Sequence, residues 1–231
     1  MRSIEDWNRQ WLQKISNWAA EQMEKADSGH GIDHVRRVVE NVQRIGHIEG
    51  AATAIVLPAA WLHDCVYVPK NSPERRQASV LAARSAEKFL ESIEYPASLV
   101  PPIVHCIEAH SFSANVACQS IEARVVQDSD RLEALGAIGL ARCLMTGGSM
   151  GQRLYHPSSP FPANRPANDN EQSVDHFFAK LLGLHRSMQT ESGRHEAKRR
   201  TEFLVVFLRQ LASEIGASTI ELEEALELVT L

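Results

Sequence analysis

No stretch of this 231-residue sequence approaches the run of about 18 apolar residues that a membrane-spanning helix needs, and its first ten residues, MRSIEDWNRQ, hold no apolar signal core. A cytoplasmic protein is expected. Basic residues are not in excess: 24 Lys and Arg against 29 Asp and Glu leave a net charge of -5. Such a body attracts neither polymeric nucleic acid nor an anionic membrane surface. Cysteine is scarce, and Cys65, Cys106, Cys118 and Cys143 form no C-x-x-C pair, which excludes a disulfide framework and a zinc knuckle and leaves buried free thiols. Alternation of apolar and polar residues between turn signals is missing, so strands are at most minor. There is no internal repeat.

What remains is helical periodicity over a composition that is 44% hydrophobic, enough for a sizeable core. Trp7, Trp11, Ile15 and Trp18 share one helix face, and further helical stretches are expected over 33–48, 52–67, 73–94, 97–111, 119–146, 173–189 and 193–228. Breaks inside the fifth fall to Gly136, Gly139 or the pair at 147. The class is all-α, in a single domain spanning 1–231. One irregular segment, GGSMGQRLYHPSSPFPANRPANDNEQ at 147–172, is either a surface excursion or a lid carrying Arg153, Tyr155 and His156.

The segment AIVLPAAWLHDCVYV, residues 54–68, is apolar except for His63 and Asp64. Read as a helix of about four turns, it has no solvent-facing stripe, and an imidazole and a carboxylate inside it need a partner or a metal ion. Other groups could meet them. SGHGIDHVRRVVENV places His30 and His34 at the start of a helix with Asp33 as a candidate N-cap. In PPIVHCIEAHSFS, the spacing of Ile103, Ile107 and His110 turns His110 inward, whereas His105 lies on another face. Asp128 and Asp130, in VVQDSDRLEAL, are about 200° apart on a helix, so one is a candidate ligand and the other a supporting or reacting group. In VPKNSPERRQAS, Ser72 can cap a helix that begins at Pro73, with Lys70, Arg75 and Arg76 around a candidate anion cradle.

In chain order, His34, His63-Asp64 and Asp130 resemble the H…HD…D signature of the HD-domain superfamily of metal-dependent phosphohydrolases. GHGIDHVRRV, WLHDCVYVPKNSPERRQAS, EAHSF, VQDSDRLEALGAIGLAR and VDHFFAKLLGLHRSMQTESGRHEAKRR are similar, in the same order, to blocks of the small bacterial YedJ/YpgQ-like subgroup. The resemblance implies an HD-type helical bundle in which His34, His63, Asp64 and Asp130 bind one divalent ion. It also implies a pocket lined by His30, Lys70, Arg75, His110, Asp128 and Lys180. Two imidazoles and two carboxylates leave positions open on an octahedral ion, which suits Mn²⁺, Mg²⁺, Co²⁺, Ni²⁺ or Fe²⁺ better than a closed structural zinc.

The function expected from these features is hydrolysis of a phosphate ester or phosphoanhydride of a nucleotide by a metal-activated water. Asp128 would orient or deprotonate the water and His110 would donate a proton or support a ligand from behind, while His30, Lys70, Arg75 and Lys180 would bind substrate. Two departures bear on this: the HD pair continues as CVYVPK, where some superfamily members place an acidic residue shortly after it, and Gly31 stands where the subgroup often has a carboxylate. The rivals are a nucleotide-binding regulatory module without turnover, and a di-iron oxygenase that draws on His105 and His110. A further reading has His63 and Asp64 merely paired in the core of a helical interaction protein. The partner expected is a small phosphorylated molecule, and a homodimer is compatible with the sequence.

Overall fold

A computed structural model describes residues 4–23, 31–68, 72–111 and 114–230, with the side chains of 4–9, 73, 75 and 230 excepted. The chain divides into two compact units, Met1–Asp130 and Arg131–Leu231. The fold is all-α; an isolated bridge between Arg153 and Gln172 is the sole β pairing among the described residues.

The first unit holds α1 (Ile4–Met23), α2 (Ile32–Glu49), α3 (Thr53–Leu62), α4 (Ala78–Ser92), α5 (Val100–His110) and most of α6 (Ile121–Arg131). α3 is its centre. Val56, Leu57, Ala59, Ala60 and Leu62 are all buried because α1, α2, α4 and α5 pack around it. That explains its lack of an amphipathic stripe, since a helix covered on every side needs none. α1 lays Trp18 flat on Phe89, with ring centroids 4.2 Å apart, and sets Trp11 edge-on to Tyr95 at 5.4 Å. The side chain of Trp7 lies outside the described residues.

Several boundaries differ from those expected. α3 stops at Leu62 instead of 67. Val66 and Val68 are β-branched, and Val68 precedes Pro69, a position biased to extended backbone, so the helix cannot run on. The stretch from Pro73 begins as a 3-10 turn, Pro73–Gln77, before α4. Gly31, not Asp33, is the N-cap of α2; Asp33 is exposed in the first turn, 3.3 Å from Arg36 Nη1.

The second unit comprises a 3-10 turn (Leu132–Ala134), α7 (Gly136–Ser149), a π-helical turn (Phe177–Leu181), a 3-10 turn (Leu184–Ser187), α8 (Glu191–Glu214) and α9 (Thr219–Thr230). Of the candidate breaks only Gly136 is used, at φ +68°. Gly139 instead lies within α7, where a Cβ would sit 2.2 Å from the Ala134 carbonyl group. The region 173–189, expected as one helix, is a π turn followed by a 3-10 turn, and 193–228 is divided at Gly216, φ +64°. The segment 150–172 is irregular but fastened: Asp175, fully buried, accepts from both terminal nitrogens of Arg165 and from Asn168 N, and Phe161 is also fully buried. Among the described residues no helix is long and apolar enough to cross a membrane.

The cysteines are free: Cys65 and Cys106 are buried, Cys118 and Cys143 only partly. Burial pushes the Cys65 thiol up to about 12 and Cys143 up to about 11, and raises Cys106 as well. Thiolate is the reactive form, so iodoacetamide at pH 8 should label the native protein at Cys118 first, Cys143 slowly, and Cys65 and Cys106 only after denaturation. Peptide mass spectrometry of native and unfolded samples reads this directly; fast native labelling of Cys65 would contradict it.

Candidate metal centre

Four helix ends meet in the first unit. His34 sits in the first turn of α2, and His63 is the residue that closes α3. Asp64 follows in the turn, His110 is the last residue of α5, and Asp130 is the penultimate residue of α6. Three of these ends, those of α3, α5 and α6, are C-terminal. Their dipoles carry negative partial charge, a field that favours a cation.

The side chains converge. His34 Nε2 lies 3.3 Å from His63 Nε2, 3.3 Å from Asp130 Oδ1 and 3.9 Å from Asp64 Oδ2. His63 Nε2 is 3.7 Å from Asp64 Oδ2 and 3.8 Å from Asp130 Oδ1. On the far side of Asp64, its Oδ1 is 3.6 Å from His110 Nε2, and the His110 ring stands edge-on to that of His63 at 4.9 Å. Donors held about 2.1 Å from one ion are separated by about 3.0 Å on an octahedral edge and about 3.4 Å on a tetrahedral one, so the set has the right scale.

Backbone carbonyls fix two of the rings. His63 Nδ1 donates to Ala60 O at 2.7 Å and His110 Nδ1 to Ile107 O at 2.6 Å, each acceptor lying in the last turn of the ring's own helix. With Nδ1 holding the proton, the His63 Nε2 lone pair faces the cluster, which is the tautomer a metal ligand requires. The imidazoles of His34, His63 and His110 are buried, whereas Asp64 and Asp130 keep 27% and 28% of their side-chain surface, so the cluster opens to solvent along its carboxylates.

Charge follows the same geometry. Burial lowers the pKa of His63, aided by His110 and His34 and opposed by Asp64 and Asp130. At His110 burial works against protonation, but the hydrogen bond and charge of Asp64 outweigh it and raise the pKa. Burial also opposes ionisation of Asp130, and the His34 hydrogen bond, with the charges of His34, His63 and His110, overcomes it and holds that carboxyl well below the usual range.

Among the described residues, two groups of three donors are close enough to hold an ion: His34, His63 and Asp130, and His63, Asp64 and His110. They share His63. Its Nδ1 is engaged by Ala60 O, which leaves Nε2 as the nitrogen common to both groups. The donor chemistry therefore fits a divalent cation.

The remaining expected site residues are placed as follows. Asp128 is fully buried on α6 and belongs to neither group. His105 accepts a hydrogen bond from Gln119 N at 3.0 Å and is likewise outside both. His30, Lys70 and the side chain of Arg75 lie outside the described residues. Ser72 Oγ accepts from Glu74 N at 3.2 Å, capping the 3-10 turn that runs directly into α4. Lys180 is exposed on the π turn of the second unit. Asn41 and Gln127 are further buried polar groups on the site helices, marked by no sequence motif.

Two histidines and two aspartates from the ends of separate helices converge in this chain order, residues 31–135 match the HD domain, and the chain belongs to the HD-domain family of metal-dependent phosphohydrolases. Within it, the chain is 34% identical over 207 residues to YpgQ of Bacillus subtilis strain 168, covering 88% of this chain and 93% of YpgQ. The crystal structure of an HD-superfamily hydrolase from Bacillus thuringiensis superposes with a TM-score of 0.72 at 31% identity, over 91% of this chain and all of that one. That of B. subtilis YpgQ in complex with ADP superposes with a TM-score of 0.67 at 30% identity, over 89% of this chain and 95% of that one.

Proposed function

We propose that the protein hydrolyses a phosphate ester or phosphoanhydride of a nucleotide at a single divalent ion held by His34, His63, Asp64 and Asp130. The observation that carries this reading is the convergence of those four side chains with an open edge along the two carboxylates. A bound ion would polarise a phosphoryl oxygen and lower the pKa of a water at that edge. The chain's own residues do the rest. His63 keeps its tautomer through Ala60 O, and His110, held by Ile107 O and facing Asp64 Oδ1, stands beside the reacting region as the proton donor to the leaving oxygen. Asp128, two residues before Asp130, is assigned the orientation of the attacking water. His30, Lys70, Arg75 and Lys180 are assigned to the phosphates and base.

Nucleotide is the favoured substrate class because YpgQ, which resembles this chain over most of its length, has a structure with ADP. The same relatives match across both units, which supports treating 1–231 as one functional domain. One shared imidazole nitrogen and the engagement of His105 by Gln119 N favour a single ion over a di-iron centre. Which ion serves in the cell is assigned to the group Mn²⁺, Co²⁺, Ni²⁺, Mg²⁺ and Fe²⁺.

The test is phosphate and pyrophosphate release from a panel of nucleoside mono-, di- and triphosphates and generic phosphoesters, each with Mn²⁺, Co²⁺, Ni²⁺ and Mg²⁺. Turnover of nucleotides in preference to generic esters is expected, lost on chelation and restored by one ion per chain. Binding without turnover under every metal would replace this reading with that of a nucleotide-binding module.

A further inference from the structure

The ligand-bearing helices end where the ligands sit, and helix ends leave carbonyls without intrahelical donors. In α3 and α5 the site histidines themselves cover one such carbonyl each. Two buried amides cover others. Asn41, 6% exposed, lies on α2 seven residues beyond His34 and so on the same face; its Nδ2 donates to Ser129 O at 3.4 Å, the carbonyl of the peptide that joins Ser129 to Asp130. Asn41 is itself held, since Arg44 Nη2 donates to its Oδ1 at 3.2 Å. Gln127, 4% exposed on α6, donates through Nε2 to Ala109 O at 2.6 Å, the carbonyl of the peptide that joins Ala109 to His110.

The two bonds are placed alike. Each reaches from one site helix to the backbone immediately before a site residue on another: α2 to α6 at Asp130, and α6 to α5 at His110. Packing alone holds two helices to within a slide along their ridges, whereas a buried donor on one particular carbonyl fixes the register. α2 and α6 touch closely further along as well, where a Cβ on Gly46 would lie 3.7 Å from Val125 Cγ1. The separation of His34 Nε2 from Asp130 Oδ1, 3.3 Å, is therefore tied by a bond two helical turns away on α2.

We propose that Asn41 and Gln127 are positioning residues of the metal centre, which set the α2–α6–α5 register in which Asp130 and His110 meet the remaining donors. They touch neither ion nor substrate. This rests on the metal-centre reading above and deepens it. Losing a partner that orients a metal ligand typically weakens metal affinity or activity by about 10–100-fold.

The test uses the full chain with Asn41→Leu and Gln127→Met, which keep approximate volume and remove the donor, and Asn41→Ser as a milder variant should the leucine not fold. Folding is checked by circular dichroism and Tm of the metal-free proteins. Each is then titrated with Co²⁺, reading both the dissociation constant and the visible absorption spectrum, which reports coordination geometry and is indifferent to general stability. The expected result is Co²⁺ binding about 10–100-fold weaker than in the parent, with an altered band shape, in folded proteins. Parent-like affinity and spectrum in both positions, with only Tm lowered, would overturn the proposal and leave the amides as ordinary core hydrogen bonds. A parent chain that takes up no Co²⁺ would instead remove the metal centre itself.

Discussion

Asp64→Ala should yield a folded protein with no bound metal and at least about 1,000-fold less kcat/KM toward whichever phosphorylated substrate the parent turns over, a loss of about 4 kcal/mol of transition-state stabilisation. The magnitude follows from the double position of this carboxylate. Its Oδ2 stands 3.7 Å from His63 Nε2 and 3.9 Å from His34 Nε2, within reach of a shared ion, while Oδ1 faces His110 at 3.6 Å. One substitution thus removes a donor and also the group that raises the His110 pKa. Three measurements follow: metal per chain by mass spectrometry, phosphate release with Mn²⁺, and the Tm increment on adding Mn²⁺. A ligand at 100 times its dissociation constant adds about 2.7 kcal/mol to the native state, so the parent's transition should rise with the ion and the variant's should not. Asp33→Ala is the control, because Asp33 lies on the same helix as His34 but is 80% exposed beside Arg36. Equal turnover by Asp64→Ala and the parent would end the hydrolase reading.

The sequence showed which residues could form the site more clearly than it showed what holds them there. An imidazole and a carboxylate inside an apolar run are conspicuous because burial without a partner is costly, and the first-turn position of His34 follows from the glycines before it and the valine stripe after it. The helical class follows from the same 3.6-residue spacing. Where α3 ends was less apparent: hydrophobicity continues unchanged through Val68, and it is β-branching and Pro69 that stop the helix five residues sooner than expected. That end lets the His63 ring take Ala60 O and turn Nε2 into the cluster. Asn41 and Gln127 left no local trace. Their acceptors are 88 and 18 residues away, and a polar residue on a helix face is ordinarily solvated, so neither position stood apart from a surface amide. The 73–77 stretch is the opposite case: Ser72-Pro73 is a sound start signal and the Ser72 hydroxyl does cap Glu74 N, but the first five residues take a 3-10 turn before α4, which the start signal does not foretell.

The irregular segment, expected over 147–172 and found over 150–172 because α7 runs on to Ser149, carries the second large effect. Its composition suits a mobile lid, but its structure is that of a wall fastened from within. Asp175 is fully buried and accepts from Arg165 Nη2 at 2.8 Å, from Arg165 Nη1, and from Asn168 N at 2.7 Å. Arg165 in turn donates to Ser159 O through Nε and Nη2, at 3.1 and 3.0 Å, so one guanidinium gathers both limbs of the segment onto one carboxylate. Removing the carboxylate leaves a mostly buried cation without its partner, the arrangement for which losses of about 3–5 kcal/mol are typical. For a chain of this size that corresponds to a fall in Tm of roughly 6–20 °C. Asp175→Ala should therefore lower the melting transition by that amount and admit trypsin or chymotrypsin at 153–165, and Arg165→Ala should cost at least as much, because it strands a fully buried carboxylate with the Asn168 N–H in place of a cation. Calorimetry and limited proteolysis of the two variants decide the matter. A lid that opens freely would lose little when its latch is cut, so a Tm change below about 2 °C in Asp175→Ala would return the segment to the mobile role that its Gly, Pro and Ser content suggests.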